Sequence, residues 1–170
     1  MNLPFRCVSL LTVLIVSSFM YGQKLPHCQT RDLTIIEGNG GAAMHNTQAE
    51  YEITNHASHA CTLSGYPTAV ALNSEGKVVR EIVFQHFSAR RDASNEKEIP
   101  TIRLAPGGHA WFEIDATDPT GLDDTSFCNK ATMVRVTPPQ NNRPFQRQFE
   151  FSTCGPGSAS ISFLLAGEPD

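Results

Sequence analysis

The chain has 170 residues, a formal net charge of −4, 40% hydrophobic residues and only 18% charged ones. That length suits one domain with a core of its own. The mild acidity excludes nucleic acid and anionic membrane surfaces as principal partners, because both repel a negative surface.

Residues 1–22 read as a signal peptide. Arg6 is the only charged side chain there, Cys7 to Met20 form an apolar stretch, and Gly22 offers a small residue for cleavage before Gln23, with Ser18 as an alternative cleavage point. The stretch is shorter than the roughly 20 residues a membrane-spanning helix needs. No cysteine has the setting of a lipoprotein signal, since Cys7 lies too early and Cys28 follows Leu25, Pro26 and His27. The expected product is residues 23–170, a single domain in a secreted or periplasmic location.

Beyond the leader, apolar residues recur at period two, the mark of strands with one wet face. The expected strands are Leu33–Glu37, Thr47–Asn55, Thr68–Leu72, Lys77–Phe84, Thr101–Leu104, His109–Asp115, Met133–Thr137, Gln146–Phe151 and a last one through Ile161, Phe163 and Leu165. In the second, Ala49, Tyr51 and Ile53 point inward and Glu50, Glu52 and Thr54 outward. In the sixth, Ala110, Phe112 and Ile114 point inward, opposite Trp111, Glu113 and Asp115. Gly38-Asn39-Gly40-Gly41, Asn73-Ser74-Glu75-Gly76, Ala105-Pro106-Gly107-Gly108 and Gly155-Pro156-Gly157 have the chemistry of turns. Ser88–Pro100 is polar and charged and reads as a long solvated loop. Seven to nine short strands with regular turns make the expected fold an all-β, immunoglobulin-like antiparallel sandwich.

Cleavage of the leader leaves Cys28, Cys61, Cys128 and Cys154, an even set that implies disulfides in an oxidising compartment. Residues equidistant from a turn face each other across a hairpin. Cys128 and Cys154 are centred on Asn141, inside Pro138-Pro139-Gln140-Asn141-Asn142-Arg143-Pro144, and Cys28 and Cys61 are centred near Met44 and His45. The expected bonds are therefore Cys28–Cys61 and Cys128–Cys154, each closing the open end of a hairpin. Zinc fingers usually need close cysteine pairs, and none is present.

Chemistry-bearing patterns are sparse. His27, His56 and His59 would approach one another if the first disulfide forms, and neutral imidazoles there could bind Cu(II) or Zn(II). Asp115, Asp118, Asp123 and Asp124 only loosely resemble a calcium loop and lack its closing Glu. The chain has no G-x-S-x-G elbow, and Gly38–Gly41 lacks the helix and lysine of a phosphate loop. Trp111, the single tryptophan, could anchor a partner or cover a sheet edge. No catalytic residue and no cofactor is assigned. A hydrolase site would have to assemble in space from Ser, His and Asp residues distant in sequence.

Several segments together resemble a known family: Gly40-Gly41, the Tyr51 strand with Asn55 at its end, Cys61-Thr62-Leu63-Ser64-Gly65-Tyr66-Pro67, Leu104-Ala105-Pro106-Gly107-Gly108, Cys128, Pro138-Pro139 and Cys154. Their order is similar to that of the secreted bacterial domain of unknown function 4232, over residues 28–155. The resemblance implies an extracytoplasmic immunoglobulin-like sandwich and supplies no catalytic or ligand-binding residues. The Gly65-Tyr66-Pro67 run reads as a structural corner, with Gly65 at positive φ, the Tyr66 ring buried and its hydroxyl on a backbone partner. The expected function is a non-enzymatic binding or structural module whose partner is a protein, a glycan or an envelope component. A periplasmic copper or zinc protein is the alternative.

Overall fold

The computed structural model describes residues 24–43, 46–87, 99–117, 128–154 and 159–167. After a 3₁₀ turn at Thr30–Asp32 come β1 (Leu33–Ala43), β2 (Asn46–Asn55), β3 (Cys61–Ser64), β4 (Thr68–Leu72), β5 (Phe84–Phe87) and β6 (Thr101–Leu104). These are followed by β7 (His109–Thr117), β8 (Asn129–Thr137), β9 (Phe145–Thr153), β10 (Ala159–Ser162) and β11 (Leu165–Ala166). The fold is an immunoglobulin-like β-sandwich. One sheet runs β1-β2-β7-β10-β5, with β11 also on β7, and across the core lie β4-β8-β9 and the pair β3-β6.

Alternation sorts the side chains. Ala49, Tyr51 and Ile53 of β2 and Ala110, Phe112 and Ile114 of β7 are all buried, and the Tyr51 and Phe112 rings stack with centroids 5.3 Å apart. From the other layer come Leu63, Leu104, Val134, Val136, Phe149 and Phe151. Burying one such side chain contributes roughly 1.5–3 kcal/mol. Arg147 of β9 fastens the open side between the sheets, its Nε and Nη2 both donating to the carbonyl of Ile35 on β1. An edge carbonyl so occupied is unavailable to a foreign strand.

Three sequence expectations are corrected. Gly38–Gly41 lies inside β1, which pairs with β2 to Ala43 across a register shift between Glu37 and Gly40. Glycines there mark a bulge, because a strand partner remains available beyond them. Lys77–Phe84 is not a strand. Val78 makes an isolated bridge to Leu72, turns follow, and pairing resumes only at Phe84–Phe87, parallel to β10. The apolar run through Ile161 and Leu165 is two strands, β10 and β11, and Ile161 to Leu165 are buried throughout. Ile161 faces Ile114 and Leu165 faces Trp111, so Ser162, Phe163 and Leu164 oppose only Phe112 and Glu113. At this bulge the Ser162 hydroxyl accepts the Glu113 N–H at 2.9 Å and donates to the Phe163 carbonyl.

The disulfides are Cys28–Cys61 and Cys128–Cys154. The second closes the β8–β9 hairpin one step beyond the Asn129–Thr153 pair. The first spans the mouth of the β1–β2 hairpin after both chains have left that ladder. The Cys28 segment instead runs parallel to β3, with the Cys28 N–H on the Thr62 carbonyl and the Thr62 N–H on that of Pro26. The expected leader at residues 1–22, most of the Ser88–Pro100 segment, Asp118, Asp123 and Asp124, and the expected turn at Gly155-Pro156-Gly157 lie outside the described residues.

Candidate functional site

Two fully or largely buried asparagines organise the Cys28–Cys61 end. Asn55 ends β2 with its side chain inside. Its amide donates to the carbonyls of His59 (3.0 Å), Leu104 (3.2 Å) and Ala105 (3.1 Å), and its oxygen accepts the Ala57 N–H (3.0 Å). The backbone adds Asn55 N–H to Gly108 and Gly107 N–H to Asn55. A Cβ on Gly108 would lie 3.0 Å from the Ala105 backbone, so the turn closes tightly only with glycine. Asn141 accepts from the Thr30 N–H and hydroxyl and donates to the Cys28 and Pro139 carbonyls. Gly65, at φ 112°, faces Pro139. Tyr66 is half-buried, stacked on His86 at 3.9 Å with Phe163 at its edge. Asn55, Cys61–Pro67, Leu104–Gly108 and Pro138-Pro139, which carry much of the family resemblance, therefore meet in a structural knot at this end, whereas Gly40-Gly41 and Cys128–Cys154 lie away from it.

The outer face of the larger sheet carries carboxylates. Glu50 sits directly opposite Glu113, and Gln48 opposite Asp115. Burial, then the charge of Asp115 and a hydrogen bond with it, push the Glu113 carboxyl up to about 7. Burial also raises Asp115, against which its hydrogen bond to Glu113 works. Trp111 lies half-buried on the same face, opposite Glu52 and Leu165.

Histidine chemistry does not gather as expected. His56 Nε2 meets the Thr34 hydroxyl at 2.9 Å, His59 gives its carbonyl to Asn55, and His27 bridges to Thr62. Among the described residues, no group of three His, Cys, Asp or Glu side chains is placed to hold a metal ion. A hydroxyl–imidazole–carboxylate grouping does occur at Thr54, His109 and Glu52, which the sequence reading passed over because its members face one another only across β2 and β7. His109 Nδ1 lies 2.7 Å from Glu52 and 3.2 Å from Thr54. Both partners use the same ring nitrogen. A proton relay needs them on opposite nitrogens, so this trio does not activate the Thr54 hydroxyl.

At the opposite end, near Cys128–Cys154, the sheets part around an open cleft of about 320 Å³. Thr47 of β2 lines it from one side. Lys130, Ala131, Thr132, Glu150, Phe151 and Ser152 line it from the β8–β9 hairpin. The ladder there shifts register between Ala131 and Met133. A bulge re-aims side chains, and hydroxyls and charges line the cleft together with the largely buried Phe151. The Thr132 Oγ1 is buried without a hydrogen-bond partner among the described residues. No pattern in the sequence marked these residues, because Thr47 is brought to the hairpin only by the packing of the two layers.

No curated protein matches the chain. A family described as a domain of unknown function, DUF4232, matches residues 28–162, which include both disulfides, both asparagine knots and the cleft. The chain belongs to the DUF4232 family.

Proposed function

We propose that this chain is an exported, non-enzymatic module that works outside the cytoplasm by binding a small polar ligand in the cleft beside Cys128–Cys154. The cleft carries the reading. Its volume of about 320 Å³ falls at the lower end of the roughly 300–1,000 Å³ typical of ligand pockets. Hydroxyls, one cation and one anion line it, and a disulfide and hairpin hold its wall before any ligand arrives. The leader-like composition of residues 1–22 and the two disulfides support an oxidising compartment. The Thr54–His109–Glu52 arrangement lacks the geometry of a relay.

The experiment has two arms. Fractionation of a bacterial host expressing the full chain should place the shortened product outside the cytoplasm. Amide NMR shifts at Thr47, Lys130 and Ser152 should respond to at least one class among sugars, amino acids and small organic anions. A cytoplasmic product with the leader intact would refute export, and silence of those amides towards every class would refute the binding site.

A further inference from the structure

We infer that Asn39 is a site of spontaneous covalent modification, at which the side-chain amide is lost and the backbone rearranges to isoaspartate. Asn39-Gly40 is the sole Asn-Gly pair in the chain. It lies in β1, an outermost strand that pairs with β2 alone among the described strands. The ladder sets Glu37 against Tyr51 and Gly40 against Ala49, so Gly38 and Asn39 together oppose Glu50. A Cβ on Gly38 would lie 3.6 Å from the Glu50 carbonyl oxygen, which makes Asn39 the extra residue of the bulge. Such a residue is left out of the ladder.

The chemistry is intramolecular. The Gly40 backbone nitrogen gives its proton to solvent and attacks the Asn39 side-chain carbonyl carbon. The bond from that carbon to the amide nitrogen breaks, ammonia leaves, and a cyclic imide closes. Water then opens the ring. Attack at the side-chain carbonyl gives aspartate, and attack at the backbone carbonyl gives isoaspartate, whose chain runs through the former side chain. Water is the only co-reactant, and nothing is oxidised or reduced. Glycine favours the first step because it puts no Cβ beside the attacking nitrogen. The step also needs Asn39 to turn its ψ out of the extended region. In a central strand that rotation breaks ladder bonds on both sides. Here a neighbour stands on one side, and the bulge has already interrupted it. Ile36 to Ala42 are all exposed, and segments with few buried contacts open at the lowest cost.

Other asparagines are held. Asn55 and Asn141 spend their amides on backbone carbonyls, and Asn73 Oδ1 accepts the Glu75 and Lys77 N–H groups. Gly40 is itself constrained, since a Cβ there would stand 3.1 Å from the Gln48 carbonyl oxygen. The close approach of β2 that calls for glycine is thus the feature that leaves Asn39 reactive. Isoaspartate adds one carbon to the backbone. The pairing of Gly40–Ala43 with Asn46–Ala49 then loses its register, while Leu33–Glu37 keeps its own, pinned by buried Leu33 and Ile35 and by Arg147. The product also places a carboxylate on a strand edge, where charge deters foreign strands.

The test ages the oxidised, folded protein at neutral and at mildly acidic pH and maps its peptides by mass spectrometry, with the urea-unfolded chain as reference. The expected result is conversion at Asn39 about tenfold faster or more than at any other asparagine, faster at the higher pH, and within about tenfold of the unfolded rate. Amide NMR of the aged protein should show Gly40, Gly41, Ala42 and Gln48 moved, with Ile35 and Tyr51 in place. An intact Asn39 in the folded protein, while the unfolded chain converts, would show that β1 protects the site and would overturn the inference. So would earlier conversion of another asparagine. Movement of Ile35 and Tyr51 would overturn the claim that the change stays beyond the bulge.

Discussion

Replacing Asn55 with alanine tests the claim that one side chain holds the Cys28–Cys61 end together. Its amide serves three carbonyls and its oxygen one N–H, all between 3.0 and 3.2 Å. Two N–H groups cannot satisfy three acceptors fully, so the set amounts to about three hydrogen bonds at roughly 1 kcal/mol net each. The Leu104 carbonyl bond is buried, and its loss leaves an acceptor that water reaches poorly. The expected destabilisation is about 3–4 kcal/mol. For a chain of this size that lowers the melting temperature by about 10 °C. Asn55→Asp keeps the shape and replaces the donor with an oxygen facing three carbonyls, so it should cost at least as much. The assay is urea unfolding of the oxidised protein, followed by circular dichroism. A loss below 1 kcal/mol in both variants would show that the turn at Ala105–Gly108 and the His56–His59 loop hold without the side chain. The knot argument would then fail.

The Glu113 carboxyl is raised to about 7 from 4.5 by burial and by Asp115. A folded pKa above the unfolded one means that the native state binds more protons between those values. Stability should therefore be highest below pH 4.5 as far as this group is concerned, and should fall as pH rises towards 7. Glu113→Gln should flatten that slope and raise the melting temperature at neutral pH. An unchanged slope would refute the role of this face. Ser162→Ala strips the acceptor from the Glu113 N–H at the β10–β11 bulge and should cost about 1–3 kcal/mol, read by denaturant midpoint. Removing Cys128 and Cys154 together opens a loop of sequence separation 26 and should cost about 3.5 kcal/mol in the chain-entropy account. Loss of any ligand-induced amide shifts at Thr47, Lys130 and Ser152 should accompany it, whereas a Cys28/Cys61 double variant should keep them.

The strands were legible wherever one face is wet. Tyr51 and Phe112 alternate with Glu52 and Glu113, and both strands formed as read. Failures occur where that rule stops. The glycines of β1 carry no side chains to alternate, so the strand hid as a turn. Lys77–Phe84 has strand-like residues, yet its neighbours offer only the single Val78–Leu72 bridge. The disulfide pairing was correct for both couples, but the Cys28 segment found its partner in β3 and not in the hairpin whose distances suggested it.

Composition, alternation and cysteine spacing thus determined a disulfide-bonded sandwich, because these follow from local chain geometry and the distribution of apolar residues, and the resemblance of the ordered motifs marked its family. Which strands lie side by side was left to the tertiary structure. That choice set Glu50 against Glu113, put both partners of His109 on one nitrogen, and brought Thr47 to the β8–β9 hairpin to form a cleft. A site made by two layers meeting depends on contacts between residues far apart in the chain, and no local pattern encodes such contacts.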